Sequence, residues 1–283
     1  MFKYVHHVHY IVRDLDEMVK YLEKNFGHRP DHQANYGDHD IKAIYGVGKT
    51  TIEISQPLDP DSNQGKVLAA KGPGIYHVAW AVDNIRQVAE DLAARGNDLG
   101  GGDGVKDSPH GYHTVNIDPD SSLGVWFQLA EGESRARHQG EGRQMGVFQY
   151  VQQVEYNVKN RDEMVAYIER NFGMKPDALE ENVRGEWVEA QYCIEETLLR
   201  IREPVPGTGT AKRFIEKYGP GVRLVAWGTT YNIADVAKKL KANGNILKDK
   251  QRGFHQSSQG TEQIDIDPES SLGVLFQIIE RPR

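Results

Sequence analysis

The first segment of the chain alternates between two sets of side chains and then changes to a helical spacing. Residues 4–12 are rich in β-branched and aromatic residues, and a strand there would place His7 and His9 on the same face. The apolar residues that follow recur at every third or fourth position, which is the spacing of one helical face. Asp14 precedes this stretch and Gly27 ends it, as expected for the two caps of a helix. The pattern predicts a strand followed by an amphipathic helix.

The same pattern occurs twice within the first 131 residues. In residues 4–57 the helix is followed by three short segments with strand-like alternation, which predicts a βαβββ unit. Residues 74–130 repeat this order, with predicted strands at 112–117 and 123–130. Between the two units, residues 57–73 are polar and predict a linker with about one helical turn.

The second part of the chain repeats the first. Residues 150–158 mirror residues 4–12, and residues 266–277 reproduce residues 117–128 almost position by position. Because chance rarely preserves twelve residues so closely, the chain consists of four related units. The predicted fold class is α+β, with the units pairing into two similar domains. Each domain is expected to be a curved, cupped mixed sheet with helices on its outer face.

The domain boundaries follow from a change in composition. Residues 132–147 are polar, glycine-rich and without periodicity, which is typical of a linker. The prediction is therefore a first domain at residues 1–131 and a second at residues 148–283.

Charge and cysteine content narrow the function classes. The net charge of −7 argues against a general nucleic-acid or anionic-membrane surface, and no apolar run approaches the length of about 20 residues that spans a bilayer. The single cysteine, Cys193, cannot form an internal disulfide, and the first residues lack the pattern of a secretory signal. A cytoplasmic protein is expected.

Comparing matched positions of the two halves distinguishes residues that serve the fold from residues that could take part in chemistry. At four matched strand positions the first half carries residues that can bind a metal, and the second half replaces three of them. The matched pairs are His7 and Gln153, Glu53 and Arg200, His77 and Leu224, and Gln128 and Gln277. An arginine would repel a cation and a leucine cannot bind one. Only the first half is therefore expected to hold a metal, and the second half is interpreted as a degenerate copy.

The predicted strands that carry His7, Glu53, His77 and Gln128 resemble the corresponding strands of the vicinal oxygen chelate superfamily. That superfamily includes glyoxalase I, methylmalonyl-CoA epimerase, extradiol dioxygenases and the fosfomycin- and bleomycin-resistance proteins, and the first half is most similar to the glyoxalase–epimerase branch. The resemblance implies paired βαβββ units around one divalent metal ion, with ligands on the first and last strands of each unit. Carried over by position, the ligands are His7, Glu53, His77 and Gln128.

The chemistry of this donor set is consistent with the resemblance. Two imidazoles, one carboxylate and one amide oxygen suit zinc, iron, manganese, cobalt or nickel, and the sequence does not distinguish among them. Four protein ligands on an octahedral ion would leave two adjacent positions for two neighbouring oxygens of a substrate. The metal would then stabilise an enolate or enediolate as a Lewis acid.

Four further residues are candidate acid–base groups. His9 shares a strand face with His7, and a packed histidine is an equally good interpretation. His113 and His110 lie near the last strands of the second unit, and an edge or loop role is the alternative. Tyr45 completes the catalytic candidates, although the matching Tyr192 in the second half favours a packing role.

The predicted function is a divalent-metal-dependent isomerase, epimerase or lyase that acts on a small oxygenated substrate. One alternative is an Fe(II) ring-cleaving dioxygenase of the extradiol type, which uses two histidines and one glutamate and usually keeps its live site in the second half. The other is a non-catalytic protein that binds a small molecule, as resistance proteins do. The expected partner is a small-molecule substrate, without nucleic acid or membrane, and a homodimer is left open.

Overall fold

Four βαβββ units follow one another along the chain in the computed structural model, as predicted. The structure describes residues 1–37, 39–100, 102–134, 146–183, 185–205, 210–256 and 260–281. Most of the predicted linker at residues 132–147 lies outside this set. No helix in the described segments is long and apolar enough to cross a bilayer.

The described part of the first half contains eight strands and three α-helices. In chain order these are β1 (Val5–Ile11), α1 (Leu15–Phe26), β2 (His32–Asn35), β3 (Asp40–Val47), β4 (Thr50–Pro57), α2 (Asn63–Lys71), β5 (Gly74–Ala81), α3 (Ile85–Ala94), β6 (Val105–Asp107), β7 (His113–Ile117) and β8 (Phe127–Glu131).

The described part of the second half repeats this order. Its elements are β9 (Tyr150–Asn157), α4 (Arg161–Phe172), β10 (Ala178–Val183), β11 (Trp187–Ile194), β12 (Thr197–Pro204), α5 (Thr210–Tyr218), β13 (Gly221–Thr229), α6 (Ile233–Ala242), β14 (His255–Gln256), β15 (Glu262–Ile266) and β16 (Phe276–Glu280).

Within the described residues, each half forms one mixed sheet of eight strands. The strand orders are β2-β3-β4-β1-β5-β8-β7-β6 and β10-β11-β12-β9-β13-β16-β15-β14. In every unit the first and last strands are parallel, whereas the hairpins that follow the helix are antiparallel. The predicted α+β class and repeated unit are confirmed.

Helix α1 begins and ends where its caps predict. The Asp14 carboxylate accepts a hydrogen bond from the backbone N–H of Glu17 at 2.9 Å, and Gly27 adopts the left-handed conformation with φ of 73°. Its apolar face is buried, with Met18 and Leu22 at 1% exposure or less. An exposed charged face and a buried apolar face explain why this segment forms a surface helix.

The compact units of the structure do not coincide with the two sequence halves. Among the described residues, one unit contains Met1–His6, His77–Ser134 and Gln153–Leu224, and the other contains His7–Tyr76, residues 146–152 and residues 225–281. Each compact unit therefore combines one βαβββ module from each half of the sequence. We call them unit 1 and unit 2 in this order.

Unit 1 is held together by aromatic packing between the two modules it contains. The ring of Phe127 lies 5.5–6.0 Å from the rings of Tyr156, Tyr167 and Phe172. The indole N–H of Trp80 donates to the hydroxyl of Tyr156 at 3.3 Å. A buried Tyr or Trp needs such a partner, because its polar atom would otherwise lose its hydrogen bond to water.

Unit 2 uses the same arrangement. The ring of Phe276 lies 5.6–6.0 Å from the rings of Tyr10, Tyr21 and Phe26. The indole of Trp227 donates to the hydroxyl of Tyr10 at 3.1 Å. The two units thus repeat one packing solution with residues at matched positions of the sequence.

Three local predictions require correction. The strand expected at residues 123–130 begins only at Phe127, because Leu123 and Gly124 adopt left-handed backbone conformations that a strand cannot contain. The polar segment before β5 forms the complete helix α2, capped by the Ser62 hydroxyl, which accepts from the N–H of Gly65 at 3.0 Å. Strand β6 was not anticipated, since its three residues carry too little pattern.

The buried imidazole of His28 gives a testable pH dependence. Its Nε2 accepts the backbone N–H of Phe148 at 3.0 Å, and burial lowers its pKa to about 4. The unfolded imidazole binds a proton below about pH 6.5 and the folded one only below about pH 4, so the unfolded state takes up more protons in this window. We expect this group to reduce the free energy of unfolding by about 3 kcal/mol as the pH falls from 7 to 4.

The measurement is urea unfolding at a series of pH values for the wild type and for His28→Gln. The substituted amide can still accept the Phe148 N–H, but it does not titrate. The variant should therefore lose less stability than the wild type between pH 6.5 and 4, with similar slopes above pH 7. Parallel curves across the acidic range would contradict the assignment.

Candidate functional site

Three predicted site residues of unit 2 lie on one face of two paired strands. β1 and β4 are parallel, with His7 opposite Thr51 and His9 opposite Glu53. Directly paired residues share a face, and so do residues two positions apart. His7, His9 and Glu53 are therefore neighbours on this face, and all three are at most 3% exposed.

A chain of hydrogen bonds extends from His9 across the same face. His9 Nε2 lies 2.6 Å from Ser55 Oγ, and the Ser55 hydroxyl lies 2.6 Å from Oε1 of Gln64 on helix α2. The Gln64 amide N–H donates to Asp40 at 3.3 Å, and Lys42 pairs with the same carboxylate at 3.4 Å. Sequence reasoning missed Ser55 and Gln64. The alternation of β4, which puts Ser55 on the face of Glu53, was the available signal for the serine.

Two tyrosines of unit 2 also approach this face. The ring of Tyr76 meets the His9 ring edge-on at a centroid distance of 5.3 Å, and burial raises the pKa of its hydroxyl. The pKa of Tyr36 is raised by burial and, to a smaller extent, by the carboxylates of Glu53 and Asp40. Both phenols are therefore protonated near neutral pH and can donate hydrogen bonds.

In unit 1 the register places His77 and Gln128 on a common face of β5 and β8. Ala79 pairs with Gln128, so His77 lies two residues before the paired position and on the same side. The His77 ring lies 4.8 Å from the ring of Trp126, which is two residues before Gln128. His77 is 6% exposed and Gln128 is 7% exposed.

The orientation of the Gln128 amide is set by a neighbouring strand. Asn116 on β7 pairs with Gln128, and its Oδ1 accepts from Gln128 Nε2 at 2.7 Å and from Trp126 Nε1 at 3.0 Å. Among the described residues, the buried Oε1 of Gln128 has no hydrogen-bond partner. An amide oxygen in this state is available to a ligand that can accept an electron pair.

The register separates Tyr45 from the site. Tyr45 pairs with Ile52 on β4, so it shares the face opposite to Glu53. Burial raises the pKa of its hydroxyl, with smaller contributions from the carboxylates of Glu23 and Asp31. The structure thus buries Tyr45 in the core on the face opposite to Glu53, which fits the packing role, and its catalytic role stays an untested prediction.

His113 is separated from the site for the same reason. It pairs with Glu131 on β8, whose carboxylate accepts the backbone N–H groups of Asn84 and Ile85 at the start of α3. This is the helix side of the sheet, opposite to Gln128. His113 itself is half-buried and pairs with Asp107 of the edge strand β6, with its Nδ1 2.6 Å from Asp107 Oδ1. The register thus places His113 on the face opposite to Gln128, and its role as a proton carrier stays an untested prediction.

His110 lies in the loop before β7 and is buried. Its ring stacks on Tyr112 at 6.3 Å, and Tyr112 packs against Ala79 and Ala130 on the face that carries Gln128. The structure thus places His110 within unit 1 on the same side as His77 and Gln128, and its catalytic role stays a prediction.

At the matched positions of the second half, unit 1 contains a network of buried ion pairs. Arg200 and Arg202 both donate to Glu189, at 2.8 and 2.6 Å, and Arg202 also pairs with Glu155. Arg200 further donates to Gln153 at 3.2 Å. Gln153, Glu155 and Arg200 stand where the first half has His7, His9 and Glu53.

The network occupies this face with charges that neutralise one another. Burial by itself would raise the pKa of Glu155, but the guanidinium groups of Arg202, Arg223 and Arg200 outweigh it and lower the pKa below its ordinary value. Arg202 also lies 4.4 Å above the ring of Trp187. A cation at this place would be repelled by the arginines, which agrees with the predicted degeneracy of the second half.

The predicted metal ligands are distributed over both compact units. His7 and Glu53 belong to unit 2, whereas His77 and Gln128 belong to unit 1. In the described part of the chain, no three His, Cys, Asp or Glu side chains form a group that could hold a metal ion. The four-ligand assignment therefore stays a prediction.

The family comparison agrees with the residues of the first half. Residues 6–112 match the sequence model of the Glyoxalase/Bleomycin resistance protein/Dioxygenase superfamily. The predicted resemblance is confirmed. The matched stretch contains His7, His9, Glu53 and His77 and ends before Gln128. No curated protein matches the sequence.

Solved structures extend the likeness to both halves. A mutant form of 4-hydroxymandelate synthase from Streptomyces coelicolor is similar over 99% of this chain and 93% of its own, with a TM-score of 0.73 and 16% identity. Methylmalonyl-CoA epimerases from Streptomyces coelicolor and Mycobacterium tuberculosis cover 47% of this chain and 96% and 91% of their own. Their identities are 21% and 24%, and both TM-scores are 0.43. The first of these likenesses shows the two-part fold.

The buried ion network leads to a stability prediction. Glu189→Gln should reduce the free energy of unfolding by about 3–5 kcal/mol, because it leaves Arg200 and Arg202 without the buried carboxylate that they share. Glu181→Gln is the matched control, since its ion pair with Arg161 at 2.8 Å involves a carboxylate that is 72% exposed. The control should change stability by less than about 1 kcal/mol. Equal effects in urea unfolding would contradict a structural role for the network.

Proposed function

We propose that the protein is a divalent-metal-dependent isomerase, epimerase or lyase that removes a proton beside a carbonyl group of a small oxygenated substrate. The observation that carries the proposal is the contrast between matched strand positions. His7, His9 and Glu53 share a buried face in the first half, whereas the matched face of the second half is filled by paired arginines and glutamates. The functional chemistry therefore belongs to the first half.

The residues proposed to hold the metal are His7, Glu53, His77 and Gln128. Their fit is supported by donor type, because imidazole, carboxylate and amide oxygen together suit a first-row divalent ion. It is also supported by the buried Oε1 of Gln128, whose amide nitrogen is held by Asn116. When bound, such an ion would act as a Lewis acid toward the oxygens of the substrate.

The protein's own groups would bind the substrate and move its proton. His9 is the proposed proton carrier, because it lies beside Glu53 on the buried face and an imidazole exchanges protons near neutral pH. The hydroxyl of Tyr76, whose ring contacts His9, is a candidate donor to a developing oxyanion. Burial of these groups would exclude water and strengthen their interactions with the substrate.

A ring-cleaving dioxygenase is the main rival. It is kept as a candidate because the superfamily whose sequence model matches residues 6–112 includes dioxygenases. The likeness to 4-hydroxymandelate synthase, at 16% identity, concerns the fold alone. The fourth proposed ligand, Gln128, argues for the isomerase or lyase. With four protein ligands an octahedral ion has two positions left, which are enough for two substrate oxygens. A dioxygenase also needs a position for dioxygen, which three protein ligands would leave open.

Metal content tests the ligand assignment. The full-length chain is the right material, because each compact unit contains parts of both halves and a separate half would lack its packing partners. We expect about one divalent ion per chain in the wild type by elemental analysis. His77→Ala should lower metal affinity by about 10–100-fold or more.

The matched control for this variant is Leu224→Ala. Leu224 is 5% exposed and stands at the position of His77 in the second half. Its truncation should leave the metal content unchanged and cost about 2–5 kcal/mol of stability through a cavity. Wild-type metal occupancy in His77→Ala, at unchanged resistance to a chelator, would exclude His77 as a ligand.

Solvent isotope exchange tests the reaction class. The metal-loaded protein is incubated in D₂O with a panel of α-hydroxyketones, 2-oxoacids and acyl thioesters, and exchange is followed by proton NMR. We expect deuterium to enter the carbon next to the carbonyl of at least one compound, equally fast with and without oxygen. Consumption of one O₂ per turnover with a panel of catechols would instead establish the dioxygenase.

A further inference from the structure

Asp40 fixes which groups donate and which accept in the hydrogen-bond chain His9–Ser55–Gln64–Asp40. Asp40 is paired with Lys42, and an ionised carboxylate can only accept hydrogen bonds. The group of Gln64 that lies 3.3 Å from Asp40 must therefore be its NH₂. The opposite flip would bring the amide oxygen against the carboxylate, where two acceptors repel each other. Gln64 consequently turns its Oε1 toward Ser55.

The orientation of Gln64 determines that of Ser55. An amide oxygen is an acceptor, so the Ser55 hydroxyl must donate its hydrogen to Gln64 Oε1 at 2.6 Å. Ser55 is fully buried and has only one hydrogen to give. Toward His9 its oxygen can therefore only accept, and the 2.6 Å contact requires a hydrogen on His9 Nε2.

We propose that Ser55 and Gln64 are positioning residues that place a hydrogen on His9 Nε2, so that the ring in its neutral form is the Nε2–H tautomer with Nδ1 as its accepting nitrogen. The geometry that carries this proposal is a chain of donors that ends on the Asp40–Lys42 ion pair. Its use in catalysis rests on the proposed function, in which His9 carries the proton. The tautomer itself does not depend on that function.

In the second half, the two residues that match His9 and Ser55 are also in contact with each other. Glu155 stands at the position of His9 and Arg202 at that of Ser55, and the two are joined by a buried ion pair. The side chains at these two positions thus contact each other in both halves. Only the first half uses them to connect a titratable ring to a hydrogen-bond chain.

The tautomer can be measured directly by NMR of protein labelled with ¹⁵N-histidine. His9→Gln identifies the His9 signals by their loss. In the full-length wild type, Nε2 should show the shift of a protonated nitrogen and Nδ1 that of an unprotonated one. In Gln64→Leu the Ser55 hydroxyl loses its acceptor and becomes free to donate to His9, so the fraction of the Nδ1–H tautomer should rise. Asn63→Leu changes the adjacent exposed residue of α2 and should leave the spectrum unchanged.

Circular dichroism, metal content and turnover separate the possible outcomes. Gln64→Leu and Ser55→Ala should keep the fold and the wild-type metal content and should lower kcat at least tenfold, with KM changed less than kcat. A wild-type spectrum with Nδ1 protonated, or a Gln64→Leu spectrum identical to wild type, would overturn the proposed chain. A changed tautomer with unchanged turnover would retain the structural inference and overturn its catalytic use. Failure of the proposed function alone would appear as the predicted spectra without any detectable exchange reaction.

Discussion

The structure depends on aromatic packing between modules that are distant in sequence. In unit 1 the rings around Phe127 are joined by the Trp80–Tyr156 hydrogen bond, and in unit 2 the rings around Phe276 are joined by the Trp227–Tyr10 hydrogen bond. Each aromatic side chain buries a large apolar area, which is the main favourable contribution to folding. A module of one half therefore needs a module of the other as its packing partner.

The two halves share one fold but carry different side chains at matched positions of the same sheet face. In the first half the β1 and β4 face carries imidazoles beside a carboxylate, and in the second half the corresponding face carries Glu155, Glu189, Arg200 and Arg202 in mutual ion pairs. Buried charges are tolerated only when they are compensated. The second half satisfies that requirement internally. The first half carries imidazoles and a carboxylate on this face instead, and the capacity of these side chains to bind a divalent ion is the basis of our functional proposal.

The proposed proton carrier illustrates how a remote charge can define local chemistry. Asp40 is separated from His9 by Gln64 and Ser55, yet its inability to donate fixes the direction of every hydrogen bond between them. Helix α2 is essential to this arrangement, because it supplies the amide that connects two strands of the sheet. This gives the segment between the first two βαβββ modules a role beyond that of a linker.

The sequence by itself determined the four repeated units and the caps of α1, because these features follow from local periodicity. It also showed that three of the four proposed ligand positions differ between the halves, because matched positions can be compared directly. It could not determine on which face Tyr45 and His113 lie, since a strand of known alternation still has two faces and only the register with its neighbours decides between them. The hydrogen-bond chain through Gln64 was also decided by the tertiary structure, because it joins a helix to strands through contacts that no spacing in the sequence reveals. The division into compact units was likewise beyond the sequence, since it arises from packing between residues more than seventy positions apart, such as Trp80 and Tyr156.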